Sequence, residues 1–315
     1  MNTIEVKSLI YRYRQFIVVL IGVAWFTFFG IYITKMVDKI IFLFLFTVLV
    51  LSVRYIKKEE NVEDKQKDNA TICSKPKIEK KYHIIAVASG KGGVGKTTVA
   101  ANLGAILSEL GKKVVIIDMD LAMPNLEIIT GLKSPPVGLI DVLEGRLALE
   151  QVIYKGPAGT KIIPPGIMLD GYSKEENREK IIKLFRNFPI ENDYIILDMP
   201  PGREAIDVLY AGIEALLVIN YDKASILDAV NMKALLDRNG VKILGVILNR
   251  SEYDSDLVDE IERTLEMKVV TVIPDSKIIK DASNNEECFA VTKTESIPSK
   301  ELMDLAKEII GKIGN

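Results

Sequence analysis

The sequence predicts an α/β protein with a doubly wound, mostly parallel sheet, preceded by two transmembrane helices. Three observations lead to this prediction. Two long apolar runs lie near the N-terminus, short apolar segments alternate with helical stretches after residue 82, and a glycine-rich loop follows the first of these segments. Buried parallel strands are apolar on both faces, and their alternation with helices is typical of doubly wound sheets.

The first apolar run, residues 16–34, contains no charged residue. At ~1.5 Å per residue, a helix of this length nearly spans a hydrocarbon layer of ~30 Å. The second run, residues 40–56, is also long enough to span the bilayer if the charged end of the Arg54 side chain reaches the lipid headgroups. Five residues separate the runs, so we predict a tight transmembrane hairpin over residues 1–56. The alternatives are a cleaved signal peptide, a buried core hairpin, or a second run that lies in the membrane interface.

Basic residues flank the predicted hairpin on both sides. They are Lys7, Arg12 and Arg14 before it and Arg54, Lys57 and Lys58 after it. Because cytoplasmic flanks are enriched in lysine and arginine, we predict a two-helix protein of the cell membrane with both ends in the cytoplasm. The part of the chain that follows the hairpin would then be cytoplasmic too.

Residues 57–82 are rich in charges of both signs and poor in apolar side chains, so we predict a flexible linker. The whole chain has a net charge of −2, which argues against a protein that coats nucleic acid. Its two cysteines, Cys73 and Cys288, form no CxxC pair, which argues against a zinc site or a disulfide scaffold. For the single histidine, His83, we expect a structural role.

From residue 83 onward, apolar and β-branched segments predict the strands of one domain, residues 83–315. The predicted strands are 83–89, 113–120, 161–164, 194–200, 214–220, 242–249 and 268–274. A helical stretch over 97–110 stops at Gly111, as expected of a helix followed by glycine. Ligand sites in such sheets lie at the carboxyl ends of the strands.

The stretch ASGKGGVGKTT lies between the first predicted strand and this helix. Gly90, Gly95, Lys96 and Thr97 satisfy the pattern G-x-x-x-x-G-K-[ST] of a phosphate-binding loop, so we predict a P-loop NTPase domain. Glycines let backbone amides approach phosphates, the lysine neutralises phosphate oxygens, and the threonine hydroxyl binds Mg²⁺. The predicted ligands are ATP and Mg²⁺, and the predicted nucleotide-binding residues of the loop are Gly90, Lys91, Gly92, Gly93, Val94, Gly95, Lys96, Thr97 and Thr98.

A second lysine, Lys91, stands near the start of this loop. Within one chain it would duplicate the charge of Lys96. At the edge of the loop it could instead neutralise phosphate charge on a nucleotide held by a second copy of the protein. The alternative is an ordinary surface lysine.

Here the sequence resembles a known family. GKGGVGKTT is similar to the deviant Walker A motif of the MinD/ParA ATPases, residues 116–132 resemble their switch I, and 196–202 resemble their switch II. Residues 139–172 are similar to archaeal-type MinD sequences. The resemblance covers about residues 82–315 and does not include the predicted hairpin.

The resemblance implies a role for several residues. Lys91 would reach across an ATP-dependent homodimer, Lys96 would bind phosphate and Asp120 would polarise the attacking water. The Mg²⁺ ion would be bound by Thr97, Asp118 and Asp198. The adenine base would be contacted by Asn249, Pro274 and Asp275. Each of the three aspartates follows an apolar predicted strand. The alternative role for one such aspartate is that of a helix N-cap. The alternative role for Asp118 is a hydrogen bond to Lys96 or Thr97 without metal binding.

The resemblance further implies a slow, Mg²⁺-dependent ATPase that acts as a dimerisation switch. The switch would serve the spatial organisation of cell division or of another membrane complex, with an unidentified protein partner or activator.

Two alternatives to this function remain. One is a bacterial-type tyrosine kinase, which normally has a large external domain and a C-terminal tyrosine cluster. The other is a nucleotide-dependent membrane scaffold. The last tyrosine here is Tyr253. Nucleic acid is not an expected partner, because no strong basic cluster is evident.

MinD proteins typically end in a helix that binds membrane. The C-terminal apolar stripe of this chain has ordinary helical spacing, which predicts a helix packed on the domain instead. The stripe consists of Leu302, Leu305, Ala306, Ile309, Ile310 and Ile313.

Overall fold

The computed structural model describes residues 82–313, except for 122, 134, 168–173, 190, 208 and 211. The predicted hairpin (1–56) and almost all of the predicted linker (57–82) lie outside the described residues and stay predictions. Across the part that is described, no helix has both the length and the hydropathy needed to cross a bilayer.

Within the described residues, eight strands form one sheet in the order β3-β4-β2-β5-β1-β6-β7-β8, with β3 antiparallel to β4 and every other pair parallel. The strands are β1 His83–Ala88, β2 Val114–Asp118, β3 Tyr154–Lys155, β4 Lys161–Ile163, β5 Tyr194–Asp198, β6 Glu214–Ile219, β7 Lys242–Asn249 and β8 Val269–Ile273. The predicted mostly parallel sheet is confirmed, and the seven predicted strands match β1, β2 and β4–β8 within two residues at each end.

The helices of the described chain are α1 Lys96–Glu109, α2 Leu126–Thr130, α3 Leu139–Leu143, α4 Lys174–Arg186, α5 Lys223–Arg238, α6 Ser255–Leu265, α7 Lys277–Asn284, α8 Phe289–Thr292 and α9 Ile297–Ile313. Three short 3₁₀ segments lie at Leu149–Val152, Pro157–Gly159 and Gly202–Asp207. The predicted end of the first helix is confirmed, because Gly111 follows α1 with a left-handed φ of 81°.

The sheet has a buried core on each face, as a doubly wound fold requires. Along β1, Ile84, Ala86 and Ala88 belong to one core, and Ile85 and Val87 belong to the other. One face is covered by α1, α8 and α9, and the other by helices that include α4, α5 and α6. Because β1 is apolar on both sides and lies between β5 and β6, the loop that follows it is anchored at the middle of the sheet.

The C-terminal helix α9 packs on the domain, as predicted. Leu302, Leu305, Ala306 and Ile309 are buried in the same core as α1 and β1. Their burial accounts for the apolar stripe within the described chain. His83 begins β1 at the opposite edge of the sheet from the glycine-rich loop, and its Nδ1 lies 3.6 Å from Glu214 Oε2.

Candidate nucleotide site

The glycine-rich loop connects the carboxyl end of β1 to the N-terminus of α1. Gly93 and Gly95 have φ values of 78° and 99°, a left-handed conformation that favours glycine. Gly95 is also the N-cap of α1 and offers no side chain to the first turn. The backbone amides of that turn therefore remain available to a phosphate, which the helix dipole also attracts.

Two glycines of the loop let it pack against other elements. A Cβ atom at Gly90 would lie 2.2 Å from the carbonyl oxygen of Asp228 in α5. A Cβ atom at Gly95 would lie 2.3 Å from Nδ2 of Asn249 at the end of β7. At Gly90 the obstacle is backbone, which cannot move aside, so glycine is required there. At Gly95 the obstacle is a side-chain end, and the left-handed φ of 99° is the stronger reason for glycine.

Lys96 begins α1 and is only 7% exposed. Burial lowers the pKa of its ammonium group, while the charges of Asp198 and Asp120 act in the opposite direction. A buried cation with two carboxylates nearby suits the negative oxygens of a polyphosphate.

Asp118 and Asp198 end the neighbouring strands β2 and β5 and are directly paired in their register. Asp118 Oδ1 accepts a 2.9 Å hydrogen bond from the Asp120 amide, and Oδ2 accepts one from the Leu126 amide. Burial raises the pKa of Asp118 well above its ordinary value, and the charge of Asp198 raises it further. Backbone donors thus hold one carboxylate of the pair in a fixed orientation.

Asp198 is almost completely buried, and neither of its carboxylate oxygens has a hydrogen-bond partner. Burial raises the pKa of Asp198 to about 7. The Thr97 hydroxyl and the Lys96 ammonium lie close enough to lower that pKa, but neither group forms a hydrogen bond with the carboxylate. An unpartnered buried carboxylate is costly unless a cation binds it.

These residues fit a magnesium ion. In the described chain, no group of three His, Cys, Asp or Glu side chains is arranged to hold a metal. Mg²⁺ does not need such a cage, because it commonly takes one or two carboxylates and completes its shell with water and substrate phosphates. Asp198, Asp118 and the Thr97 hydroxyl match that pattern.

Asp120 follows this carboxylate pair and is half-buried. Its Oδ1 accepts a 3.1 Å hydrogen bond from the Met123 amide, and its charge acts on Lys96. The structure therefore brings together Lys96, Thr97 and all three predicted aspartates at the carboxyl edge of the sheet.

Lys91 makes a contact that the sequence did not predict. Its Nζ donates to both carboxylate oxygens of Asp222, each at 2.9 Å. Asp222 is the N-cap of α5, where Oδ1 also accepts a hydrogen bond from the Ser225 amide. These contacts lower the pKa of Asp222, with the Lys91 hydrogen bond as the largest cause. Lys91 thus lies at the loop edge, as expected, but bound within its own chain.

Asn249 is buried, and its Nδ2 donates a 2.7 Å hydrogen bond to the carbonyl oxygen of Val94 in the glycine-rich loop. Asn220, at the end of β6, was also not predicted. The Asn220 side-chain amide is oriented so that its nitrogen faces two acceptors. This nitrogen donates to the same Val94 carbonyl oxygen at 3.3 Å and to the backbone carbonyl oxygen of Asn249 at 3.1 Å. Both asparagines therefore support the loop from behind. In the sequence, the only indication that these asparagines support the loop is their position at the ends of predicted strands.

Pro274 and Asp275 follow β8 at the same edge of the sheet as Asn249. Asp275 is exposed and forms a 2.8 Å ion pair with Lys280. Their predicted contact with adenine stays a prediction.

The chain is similar to known nucleotide-binding proteins. The family model described as "CobQ/CobB/MinD/ParA nucleotide binding domain" matches residues 85–289. An uncharacterised ATP-binding protein of Methanocaldococcus jannaschii is 36% identical over 72% of this chain and 87% of its own length. The septum site-determining protein MinD of Thermotoga maritima is 34% identical over 73% of this chain and 89% of its own length.

Among solved structures, MinD of Pyrococcus horikoshii in complex with Mg-ADP has a TM-score of 0.65 and 30% identity, covering 74% of this chain and 98% of that chain. MinD in the MinC:MinD complex of Aquifex aeolicus is similar, with a TM-score of 0.61, 30% identity, and coverage of 73% of this chain and 96% of that chain. The glycine-rich loop, the carboxylates at the strand ends and these similarities lead to one conclusion: the chain belongs to the MinD/ParA family of ATPases.

Proposed function

We propose that this protein is a membrane-anchored MinD-like ATPase that binds and hydrolyses ATP as a nucleotide-dependent dimerisation switch. In this function it organises a cell-division or other membrane complex in space. The observation that carries the proposal is Lys91, a second cation at the edge of a phosphate loop that already contains the buried Lys96.

In this proposal ATP occupies the loop. The glycine-rich loop and Lys96 bind the phosphates, and Thr97, Asp118 and Asp198 hold Mg²⁺. The ion supplies positive charge that stabilises the phosphate oxygens during transfer. Asp120 orients the attacking water from the same edge. The Mg-ADP bound to Pyrococcus MinD supports this assignment, and hydrolysis is expected to be slow without an activator.

Dimerisation requires Lys91 to exchange partners. In the single chain Asp222 neutralises it, with 32% of the lysine side chain and 43% of the aspartate side chain exposed. Exposed ion pairs contribute little, so this contact can give way to a phosphate of the second subunit at small cost. ATP held between two copies would therefore draw Lys91 away from α5.

Membrane attachment would come from the apolar runs within residues 1–56, with the ATPase domain on the cytoplasmic side. A permanent anchor means that ATP does not control attachment to the membrane. ATP instead controls dimerisation within the membrane plane and the binding of a protein partner to the dimer surface. Tethering raises the local concentration of subunits and so favours the dimer.

The test uses residues 77–315 with Asp120→Ala, which should bind ATP and hardly hydrolyse it. We would measure its mass by light scattering in Mg-ATP and in Mg-ADP, and repeat with Lys91→Ala added. The proposal expects a dimer in Mg-ATP alone that disappears with the second substitution. A monomer under all conditions, with ATP binding shown by calorimetry, would contradict it. Lys223→Ala, at the same edge of the domain, is the control for loss of a lysine charge.

Two further measurements separate the remaining features of the proposal. Removal of residues 1–56 should release the protein from membranes, and retention at full strength would show that the hairpin is not the anchor. Incubation with ATP should give free phosphate rather than phosphotyrosine. Phosphotyrosine in the product would favour the tyrosine-kinase alternative.

A further inference from the structure

The edge of the sheet opposite the nucleotide site carries a row of lysines. This is the edge at which the parallel strands begin. Lys112 and Lys113 immediately precede β2, Lys161 begins β4, and Lys155 ends the antiparallel β3. Because β3, β4 and β2 are neighbours in the sheet, these four residues lie side by side. We call them the lysine row.

The charges in the lysine row are only partly neutralised. Lys155 and Lys161 are directly opposite each other in the antiparallel pair, so both side chains project from the same face. Both are exposed, and neither forms an ion pair with another described residue. Like charges in this arrangement destabilise a sheet, so the hairpin formed by β3 and β4 carries an unfavourable contact that an anion would relieve.

Two acidic residues face the row. Glu191 forms a 2.7 Å ion pair with Lys113, which lowers the pKa of Glu191, and the charge of Lys161 acts in the same direction. Asp193 accepts a 2.8 Å hydrogen bond from the backbone amide of Lys113. Four lysines therefore face two carboxylates, and the excess positive charge lies on the outermost strands.

The other half of the same edge differs. There, Lys242 at the start of β7 pairs with Glu214 at 3.0 Å, and Lys268 before β8 pairs with Glu262 at 2.5 Å. Each lysine has its own carboxylate, so this half has no comparable excess. The positive charge is concentrated at one corner of the domain rather than spread along the edge.

The position of the row indicates its partner. The chain enters the domain at this edge, because β1 begins here at His83. The predicted hairpin precedes β1 by a linker of residues 57–82, and a flexible chain of that length reaches roughly 30 Å. An anchor in the bilayer would hold this edge within reach of the phospholipid headgroups.

We propose that the lysine row binds the anionic phospholipid headgroups of the membrane, an inference that rests on the membrane anchor proposed above. Binding at this edge would direct the nucleotide edge away from the bilayer. Lys91 and the phosphate loop would then face a second copy of the chain or a protein partner. Because the anchor already holds the domain near the surface, a weak electrostatic contact is sufficient to orient it.

The test uses residues 77–315, which lack the hairpin. We expect this part to fold on its own, because the match covers 98% of the chain of Pyrococcus MinD but only 74% of this chain. We would measure sedimentation with vesicles of phosphatidylcholine and with vesicles containing one-third phosphatidylserine, at low and at physiological salt. The expected result is binding to the anionic vesicles alone, which weakens as salt is added.

The decisive variant is Lys155→Gln with Lys161→Gln, which removes repulsion and should fold normally. Each lysine near an anionic surface contributes roughly fivefold to binding, so the double substitution should weaken it about 25-fold. The matched control is Lys223→Gln with Lys277→Gln, two exposed lysines at the nucleotide edge without a described ion pair. This control has the same net charge and should weaken binding less than about twofold.

Several results would overturn the inference. Equal binding to both kinds of vesicle would do so, as would an equal loss in the control. So would tighter binding to duplex DNA with the same dependence on Lys155 and Lys161, since the row would then be a nucleic-acid surface. Failure of the anchor is a separate result: salt, rather than detergent, would release the full-length chain from membranes even where the hairpin-free domain binds anionic vesicles.

Discussion

Replacing Asn249 by alanine tests whether this residue contacts the nucleotide base or supports the phosphate loop. The substitution removes the 2.7 Å hydrogen bond from Nδ2 to the carbonyl oxygen of Val94. Both residues are buried, at 6% and 0% exposure, so water cannot readily replace the lost donor. Within the described residues, the other donor to that oxygen is the Asn220 side-chain amide at 3.3 Å, a longer and therefore weaker contact.

A buried acceptor left without its partner costs about 1–3 kcal/mol. For a domain of this size, each kcal/mol lowers the melting temperature by roughly 2–4 °C, so we expect a decrease of about 2–12 °C. If the hydrogen bond also holds the loop in its binding conformation, the same free energy weakens ATP binding by roughly fivefold to a hundredfold. Thermal unfolding by circular dichroism and calorimetric titration measure the two effects.

Inorganic tripolyphosphate separates the two roles because it has no base. Support of the loop predicts that Asn249→Ala weakens ATP and tripolyphosphate by similar factors. A melting temperature within 1 °C of the wild type, combined with weaker ATP binding and unchanged tripolyphosphate binding, would refute the reasoning and leave a base contact alone. Asn187→Ala, at an exposed asparagine, is the control and should change neither property.

Three further predictions concern the loop, the C-terminal helix and the buried thiol. Gly90→Ala places a Cβ 2.2 Å from the Asp228 carbonyl oxygen and should abolish ATP binding, as measured by calorimetry, while the fold is retained. Leu302→Ala, at a fully buried position, should lower the free energy of unfolding by about 2–5 kcal/mol in urea without changing membrane attachment. Burial raises the pKa of Cys288 to about 12, so its contribution to stability is complete below the unfolded-state pKa and is lost as pH rises toward 12. Between pH 9 and pH 10, the free energy of unfolding of Cys288→Ala should therefore fall by roughly 1 kcal/mol less than that of the wild type in urea titrations.

Each of these three has a result that contradicts it. Gly92→Ala is the matched control for Gly90→Ala, since a Cβ at Gly92 meets nothing within 4 Å, and equal loss of ATP binding in both would remove the steric argument. A Leu302→Ala protein with unchanged stability but lost membrane attachment would mean that α9 is a membrane helix. Parallel pH profiles for wild type and Cys288→Ala would show that the thiol ionises equally in both states.

The phosphate loop and the strand-end carboxylates could be predicted from the sequence because their signals are local. Lys96 and Thr97 lie in one contiguous pattern, and Asp118 and Asp198 are the last residues of apolar strands whose parallel alignment places them together. The Lys91–Asp222 contact could not be predicted in this way. It joins residues 131 positions apart and depends on how closely α5 packs on the loop.

The lysine row and β3 were missed for related reasons. β3 has only two residues, too few for a pattern of alternation, and without it Lys155 has no recognisable neighbour. The row comes from three separate segments that become one surface only when β3, β4 and β2 pair. No single segment of the sequence contains more than two of these four lysines, so no basic cluster is visible along the chain.

The central place of β1 in the sheet has a consequence for how the protein is made. β1 is the first strand of the domain to be synthesised, yet its partners β5 and β6 follow more than a hundred residues later. At the usual pace of translation, an apolar strand would wait about 5–20 s for its neighbours. A hairpin already inserted in the bilayer would keep this unpaired strand close to the membrane surface during that interval. If the proposed hairpin anchors the chain, we expect synthesis of the full-length protein to depend more on chaperones than synthesis of the same domain without its first 56 residues.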